Sequence, residues 1–412
     1  MGHNLLIFDL ESTGHHATYL FYLVQYWCKH KLEGNLRIII SPDFKHKYIT
    51  NFEQAFTLRQ HGVEFTEIST QEFSNINLRA TKLQRTNKAL KEWRLLYRYA
   101  KKFQVDHAVV MYLDTCELPL LLRKPLPCAI SGIYFRPSFH YAAFPTFRRS
   151  WKNSLQHARE KAFIRRVTEL EQFKNLFCID PFASDIINRE FKTTKAVHLA
   201  DPVEAQSVDS ATVQSMVEKL EVEHGRRVFF LFGSLDARKG VYQFLEALLL
   251  LPDESCRQIC LLMVGTPRAS ERERLDHMID KVSKQKPIQV VTQFEYVSET
   301  DVPVYFQVSD FVLALYQQHV GMSGILLLAA AADKPVISSN YGLMGELVRQ
   351  FELGVAVDSA SAEEISKAIA RLLLPIDKPI HSVEKARTFA EINSAERFAT
   401  TLFDHTCPQP IS

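Results

Sequence analysis

The chain has 412 residues, 46% of them hydrophobic and 23% charged, with a formal net charge of +2. This is the composition of a globular chain of two or three domains, and so small a net charge excludes a protein built around bulk attraction to nucleic acid. Its seven cysteines, Cys28, Cys116, Cys128, Cys178, Cys256, Cys260 and Cys407, are scattered with no CxxC pair and no Cys/His cluster, which excludes a disulfide or zinc framework and points to a reducing cytoplasm. Asn4 to Asp9 reads as a first strand rather than a signal peptide. No apolar run reaches the roughly 18 residues that span a bilayer.

Short apolar runs follow in order at Leu5–Phe8, Leu36–Ile40, Ala108–Met111, Ala129–Ile130, Leu176–Ile179 and Ala196–Leu199, separated by longer amphipathic segments. The alternation predicts parallel strands joined by right-handed helical crossovers. The turn after the first strand lacks the G-x-G-x-x-G frame of dehydrogenases. It offers Gly14, His15 and His16 instead, where a histidine can serve as general base or bind a phosphate oxygen or sugar hydroxyl. Partner ligands for a metal site are not found. Gly132 to Tyr141 sets Arg136, His140 and Tyr141 among aromatics. Such a loop suits a sugar ring; the equal alternative is a packed loop with Arg136 in an ion pair. Two helical stretches, 82–102 and 148–166, are strongly basic, and each reads either as a solvated face or as a surface for weak contact with an anionic membrane.

Leu199 to Glu204, with Pro202 inside it and a polar stretch after it, marks a domain break. A second series of strands is predicted at Val228–Phe232, Ile259–Val264, Ile288–Val291, Phe311–Ala314, Val336–Ser338 and Val355–Val357. About twelve strands exceed a usual single sheet, so two sheets are expected, with a ligand between the two domains. The first strand of this series ends at Gly233-Ser234, and Arg238-Lys239-Gly240 precede the next helix. Cations at a helix start are unfavourable unless an anion is bound there, and Arg with Lys suits a diphosphate; the plainer reading is a solvated charge pair. The order of a P-loop is absent. Gly265 ends the next strand in a turn able to lie against a nucleobase, and Tyr296 beside Val297 offers a stacking face; a plain turn and a core aromatic are the alternatives. Gln317 to Ile337 is a small-residue turn holding Gly321, Met322, Ser323 and Gly324, then a short helix, then a strand opened by Pro335. The unpaired N–H groups and positive dipole end of that helix suit a phosphate. Ser361-Ala-Glu-Glu364 is a capping box for a helix reaching about Leu374, and a last helix is expected from about Val383 to Phe403.

Taken in order and spacing, Gly233, Lys239-Gly240, Val297-Ser298, Gly321 and Lys334-Pro-Val-Ile337 resemble the donor-binding half of GT-B glycosyltransferases, particularly retaining family four. The resemblance is clear over 228–375 and looser before it. It implies an α/β, GT-B chain: two Rossmann-like, doubly wound domains facing a cleft, with an acceptor domain at 1–200, a nucleotide-sugar domain at 201–380 and a C-terminal helix at 381–412 returning to the first. It implies a hexosyltransferase-type transferase moving a sugar from a nucleoside diphosphate to a glycan, lipid or small-molecule acceptor. Retention, no metal and no cofactor beyond the donor substrate are further implications, as is a place in the cytoplasm or on the inner membrane face. Arg238, Lys239, His16 and Arg136 take the catalytic roles. Gly233, Ser234, Gly265, Tyr296, Val297, Gly321, Met322, Ser323 and Gly324 bind the donor. Gly14, His15, His140 and Tyr141 bind the acceptor. Ser234 stands where the family has arginine, with Arg238 as substitute cation. Val320 and Leu328 stand where the family keeps two glutamates, which marks a variant subgroup. The alternative is a catalytically silent nucleotide-sugar-binding scaffold.

Overall fold

The computed structural model describes residues 3–76, 82–122, 124–144, 151–295, 297–298, 300–375 and 379–407, leaving aside the side chains of 82–86, 143 and 151–153. Among the described residues, thirteen strands form two parallel sheets. The first sheet contains β1 (Asn4–Phe8), β2 (Asn35–Ile40), β3 (Val63–Glu67), β4 (His107–Val110), β5 (Ala129–Tyr134), β6 (Phe173–Cys178) and β7 (Ala196–His198). The second contains β8 (Arg227–Phe232), β9 (Ile259–Val264), β10 (Gln289–Gln293), β11 (Phe311–Ala314), β12 (Val336–Ser339) and β13 (Gly354–Val357). Their orders are β3-β2-β1-β4-β5-β6-β7 and β10-β9-β8-β11-β12-β13. In each sheet the order reverses beside the first strand, the switch point at which open α/β sheets bind ligands.

The chain divides into two compact units: one of Met1–His140, Arg149–Pro202 and Ala395–Ser412, the other of Tyr141–Arg148 and Val203–Ser394. Each has its own core. In the first, Leu6, Ala108, Ile130 and Leu176 from neighbouring strands are fully or almost fully buried with Phe163 and Ile164 of the helix Trp151–Glu169. In the second, Phe229, Leu261, Leu313 and Ile337 pack with Phe244 and Leu248 of the helix Val241–Leu249 and with Ile365 and Ile369 of the helix Ala362–Leu373. Each leucine, isoleucine or phenylalanine among them contributes roughly 1.5–3 kcal/mol on burial. Strands buried on both faces read as continuous apolar runs, which is why the sequence shows them clearly.

Two expectations change. β3 was not among the predicted strands. Its sequence, Val-Glu-Phe-Thr-Glu, has one buried residue, Val63, and lies at the sheet edge, so it carries no apolar run. The single C-terminal helix expected over Val383–Phe403 is two helices, Val383–Ile392 and Ala395–Thr406. The break is held by tertiary bonds: buried Asn393 accepts the Val203 N–H at 2.8 Å, and Ser394 bridges Val203 in parallel register. Val383–Ile392 therefore belongs to the second unit, and the return to the first begins at Ala395 rather than 381. There Phe403 stacks on Tyr26 and meets Trp27 edge-on, on the helix His16–His30. Ser361 caps the helix Ala362–Leu373 by accepting the Glu364 N–H at 3.2 Å, as its capping sequence predicts.

Candidate functional site

In the second unit the turns after β8, β9 and β11 converge. Gly233 and Gly265 have φ of +102° and +128°, a region that glycine occupies without strain. A Cβ on Gly265 would lie 2.0 Å from the Gly233 carbonyl oxygen, so the two turns pack backbone on backbone. A Cβ on Gly233 would lie 2.9 Å from Lys239 Nζ. The missing side chain is thus the space in which the lysine lies. Lys239 is 7% exposed and donates to the Phe232 carbonyl at 2.7 Å.

Asp236 anchors the loop between them. It is 1% exposed, pairs with Arg268 at 3.0 Å and with Arg238 at 3.9 Å, and accepts from Ser234 Oγ at 3.4 Å. Two cations, Arg238 and Arg268, therefore share one carboxylate, and Lys239 follows in the same loop. Gln317 N–H donates to the Arg238 carbonyl at 2.8 Å, tying this loop to the turn after β11.

That turn carries Tyr316, 5% exposed. Lys239 Nζ lies 4.9 Å and Arg238 Cζ 5.2 Å from its ring centroid, so both cations lean on one aromatic face. Burial raises the phenol's pKa, but the adjacent Lys239 ammonium, with Ser323 and Arg238 after it, holds it below the ordinary tyrosine value. Ser323 is the residue before the helix Gly324–Ala331. It is 3% exposed, its hydroxyl makes no capping bond, and among the described residues its Oγ has no well-formed hydrogen bond, only the Tyr316 phenol nearby. A buried hydroxyl without a partner is costly, and a helix start with an idle cap leaves its N–H groups available to an anion.

Gly233, Ser234, Arg238, Lys239, Gly265, Ser323 and Gly324 are thus brought together, in or beside the three turns. Gly321 N–H is taken: it donates to the Tyr141 hydroxyl at 2.9 Å. Met322 contributes its carbonyl, which accepts from His319 Nε2 at 3.2 Å. Val297 lies in a capping turn where Ser298 Oγ donates to Asp301 at 2.8 Å, with no bond to the cluster. Tyr296 lies outside the described residues. Tyr316, Asp236 and Arg268 are the cluster members not singled out from sequence.

In the first unit, the turn after β1 places His16 on buried Asp9. His16 Nδ1 donates to both carboxylate oxygens, at 2.9 and 2.8 Å. Burial alone would lower the imidazole's pKa, but the Asp9 carboxylate outweighs it and the pKa lies above the ordinary value. His16 Nε2 makes no hydrogen bond among the described residues. His15 stacks on Tyr19, 6.0 Å between centroids, and Gly14 has φ of +68° with open space where a Cβ would stand. Arg136 is exposed, and its backbone N–H donates to Asp114 at 3.1 Å.

Two acceptor candidates meet a different fate. His140 is 5% exposed, with Nε2 on the Asp180 carboxylate at 3.0 Å. Tyr141 is fully buried, in the second unit, with its ring against Gly342 and its hydroxyl on Gly321. Both side chains are buried and hydrogen-bonded to neighbours within the fold. A groove of about 950 Å³ beside β2 and β3 lies away from all these residues. Its charges are matched, Arg37 to Glu64 at 2.6 Å and Lys45 to Glu67 at 2.8 Å, whereas the turns of the second unit hold more cations than anions.

Residues 213–389 match the family model described as Glycosyl transferases group 1. The chain is 25% identical over 176 residues to spore coat protein SA of Bacillus subtilis (strain 168), covering 41% of this chain and 45% of that protein. It thus spans under half the length of that curated relative. Among solved structures, sucrose-phosphate synthase of Thermosynechococcus elongatus superposes with a TM-score of 0.68 at 14% identity, covering 98% of both chains. Anabaena HepE in complex with UDP gives 0.66 at 13% identity, covering 97% of this chain and 98% of that one. The fold is the GT-B fold.

Proposed function

We propose that this chain is a glycosyltransferase that moves a sugar from a nucleoside diphosphate to an acceptor. The observation that carries the reading is the buried, unpartnered Ser323 hydroxyl at a helix start beside Lys239 and Arg238, inside the glycosyl transferases group 1 domain. As the bond from the anomeric carbon to the diphosphate breaks, negative charge grows on the phosphate oxygens. Pre-placed cations and N–H groups stabilise that charge without reorganising. His16, fixed through Nδ1 by Asp9, offers Nε2 to an acceptor hydroxyl. Arg136, exposed in the first unit, adds a cation for acceptor or sugar. The family resemblance over 228–375 supports retention at the anomeric carbon, and the cations supply the charge that a metal would otherwise bring. The UDP complex of HepE supports a nucleotide-sugar donor. Unpaired cysteines and the absence, among described residues, of a helix able to cross a membrane support a cytoplasmic location.

A silent sugar-nucleotide-binding scaffold is the second reading. It is favoured by one observation: Val320 and Leu328 stand in the places of the family's glutamates.

The test is donor turnover by wild type, Lys239→Ala and His16→Asn, with nucleotide binding measured in parallel. Lys239→Ala is expected to lose about 10²–10³ in rate. His16→Asn is expected to lose about 10²-fold or more in transfer while nucleotide binding holds. Near-normal turnover by Lys239→Ala would overturn the assignment. Tight binding with no hydrolysis or transfer in wild type would select the scaffold.

A further inference from the structure

Tyr316 follows β11 and sits between the two halves of the candidate diphosphate seat. Its ring carries the Lys239 ammonium at 4.9 Å and the Arg238 guanidinium at 5.2 Å. Its hydroxyl lies by the Lys239 ammonium and the Ser323 hydroxyl. Lysine has no acceptor capacity, so towards Lys239 the phenol oxygen accepts, and its proton is directed to Ser323 Oγ or to a ligand. Among the described residues no carbonyl or carboxylate receives that proton. Ser323 Oγ, in a residue only 3% exposed, has no well-formed hydrogen bond among the described residues. A buried serine hydroxyl without a partner and a phenol beside it, next to two cations at a helix start, together suit a bound oxyanion.

We infer that Tyr316 is a third diphosphate-contacting residue, its ring aiming Lys239 and Arg238 and its hydroxyl donating a hydrogen bond to a bound phosphate oxygen. This rests on the glycosyltransferase reading and deepens it. Where Val320 and Leu328 replace glutamates, a neutral phenol adds a donor without adding a negative charge beside the diphosphate.

The role has a pH signature. Below its pKa the phenol donates to phosphate; above it, the phenolate repels phosphate. The lysine and serine beside it bring that loss below the ordinary tyrosine range. The groups facing the ring are Lys239 and Arg238 from the basic loop, Ser323 from the helix start, and His319, whose ring centroid is 4.9 Å away. An ordinary histidine titrates below this window, and Lys239 is present in every variant compared.

The experiment is calorimetric titration of the full chain with inorganic pyrophosphate and with UDP, from pH 7 to 10, for wild type, Tyr316→Phe and Tyr316→Leu. Wild type is expected to bind both probes and to weaken towards alkaline pH. Tyr316→Phe keeps the ring, binds roughly tenfold more weakly at pH 7, and loses most of the alkaline fall. Tyr316→Leu also releases the cations and binds more weakly than Tyr316→Phe. If it fails to fold by circular dichroism, the phenylalanine variant alone decides. Wild-type binding with an unchanged affinity and pH profile in Tyr316→Phe would overturn the inference and leave the glycosyltransferase reading standing. A wild-type chain that binds neither probe would overturn both.

Discussion

Burial pushes the Glu92 carboxyl up to about 7, and Lys88, 3.6 Å away, only partly opposes it. A carboxyl whose pKa is higher folded than unfolded stabilises the fold where it is protonated. That contribution is intact below about pH 4.5 and is lost as pH rises to about 7. Glu92→Gln removes a penalty on the order of 2–3 kcal/mol above pH 7, and Lys88 keeps Glu11 at 3.2 Å. The melting temperature at pH 8 is expected to rise by about 5 °C, with little change at pH 4.5; an unchanged value at pH 8 would refute the burial argument. His107 acts in the opposite sense. Burial lowers it to about 4, so the stability it contributes is present above pH 6.5 and lost as pH falls towards 4. Lys239 and Ser323 were legible as candidate site residues because glycine turns and a helix start are local signals. Tyr316 was not, because in sequence it ends an apolar run and reads as core. Its role comes from a loop some eighty residues earlier leaning on its ring. Likewise Asp9, the partner of His16, reads as a strand-end residue until the turn folds back.

At the scale of elements, the strand-turn-helix units of the second unit were readable because β8, β9 and β11 are apolar on both faces and the turns after them carry glycines. The close approach of two such turns was not readable, since it depends on neighbouring strands in space. Gly265→Ala tests it. A methyl group 2.0 Å from the Gly233 carbonyl oxygen, at φ of +128°, forces the turns apart. The expected cost is roughly 1–3 kcal/mol, read as a lower melting temperature, together with weakened pyrophosphate binding as Gly233 moves off Lys239. Wild-type stability in that variant would show that the turns do not pack as described. The C-terminal helix was misread for the same kind of reason. Asn393 caps the first helix locally through its side chain on the Phe389 carbonyl, and a bond from Val203 fixes the break.

Over the whole molecule, the charge pattern changes meaning once folded. The basic helices Lys82–Lys102 and Trp151–Glu169 look like membrane surfaces in sequence, but several cations meet acids: Arg98 with Glu72, Arg159 with Glu117 at 3.3 Å and Lys161 with Glu190 at 2.7 Å. Exposed Tyr97 and Leu155, at 42% and 68%, remain on those helices as apolar contacts. The expected outcome is weak flotation with anionic liposomes that fades with added salt and is absent with neutral lipid; equal flotation with neutral lipid would count against a charge-driven contact. Sequence alone determined the alternation of strand and helix, the two-sheet organisation and the cation-bearing turns, because periodicity, glycine and proline act over a few residues. Tertiary structure decided where the chain returns to its first unit, that His140 and Tyr141 are buried, and that Lys239, Tyr316 and Ser323 surround one place. Those facts depend on residues far apart in the chain being brought together, and on burial that changes what each group can donate, accept or ionise.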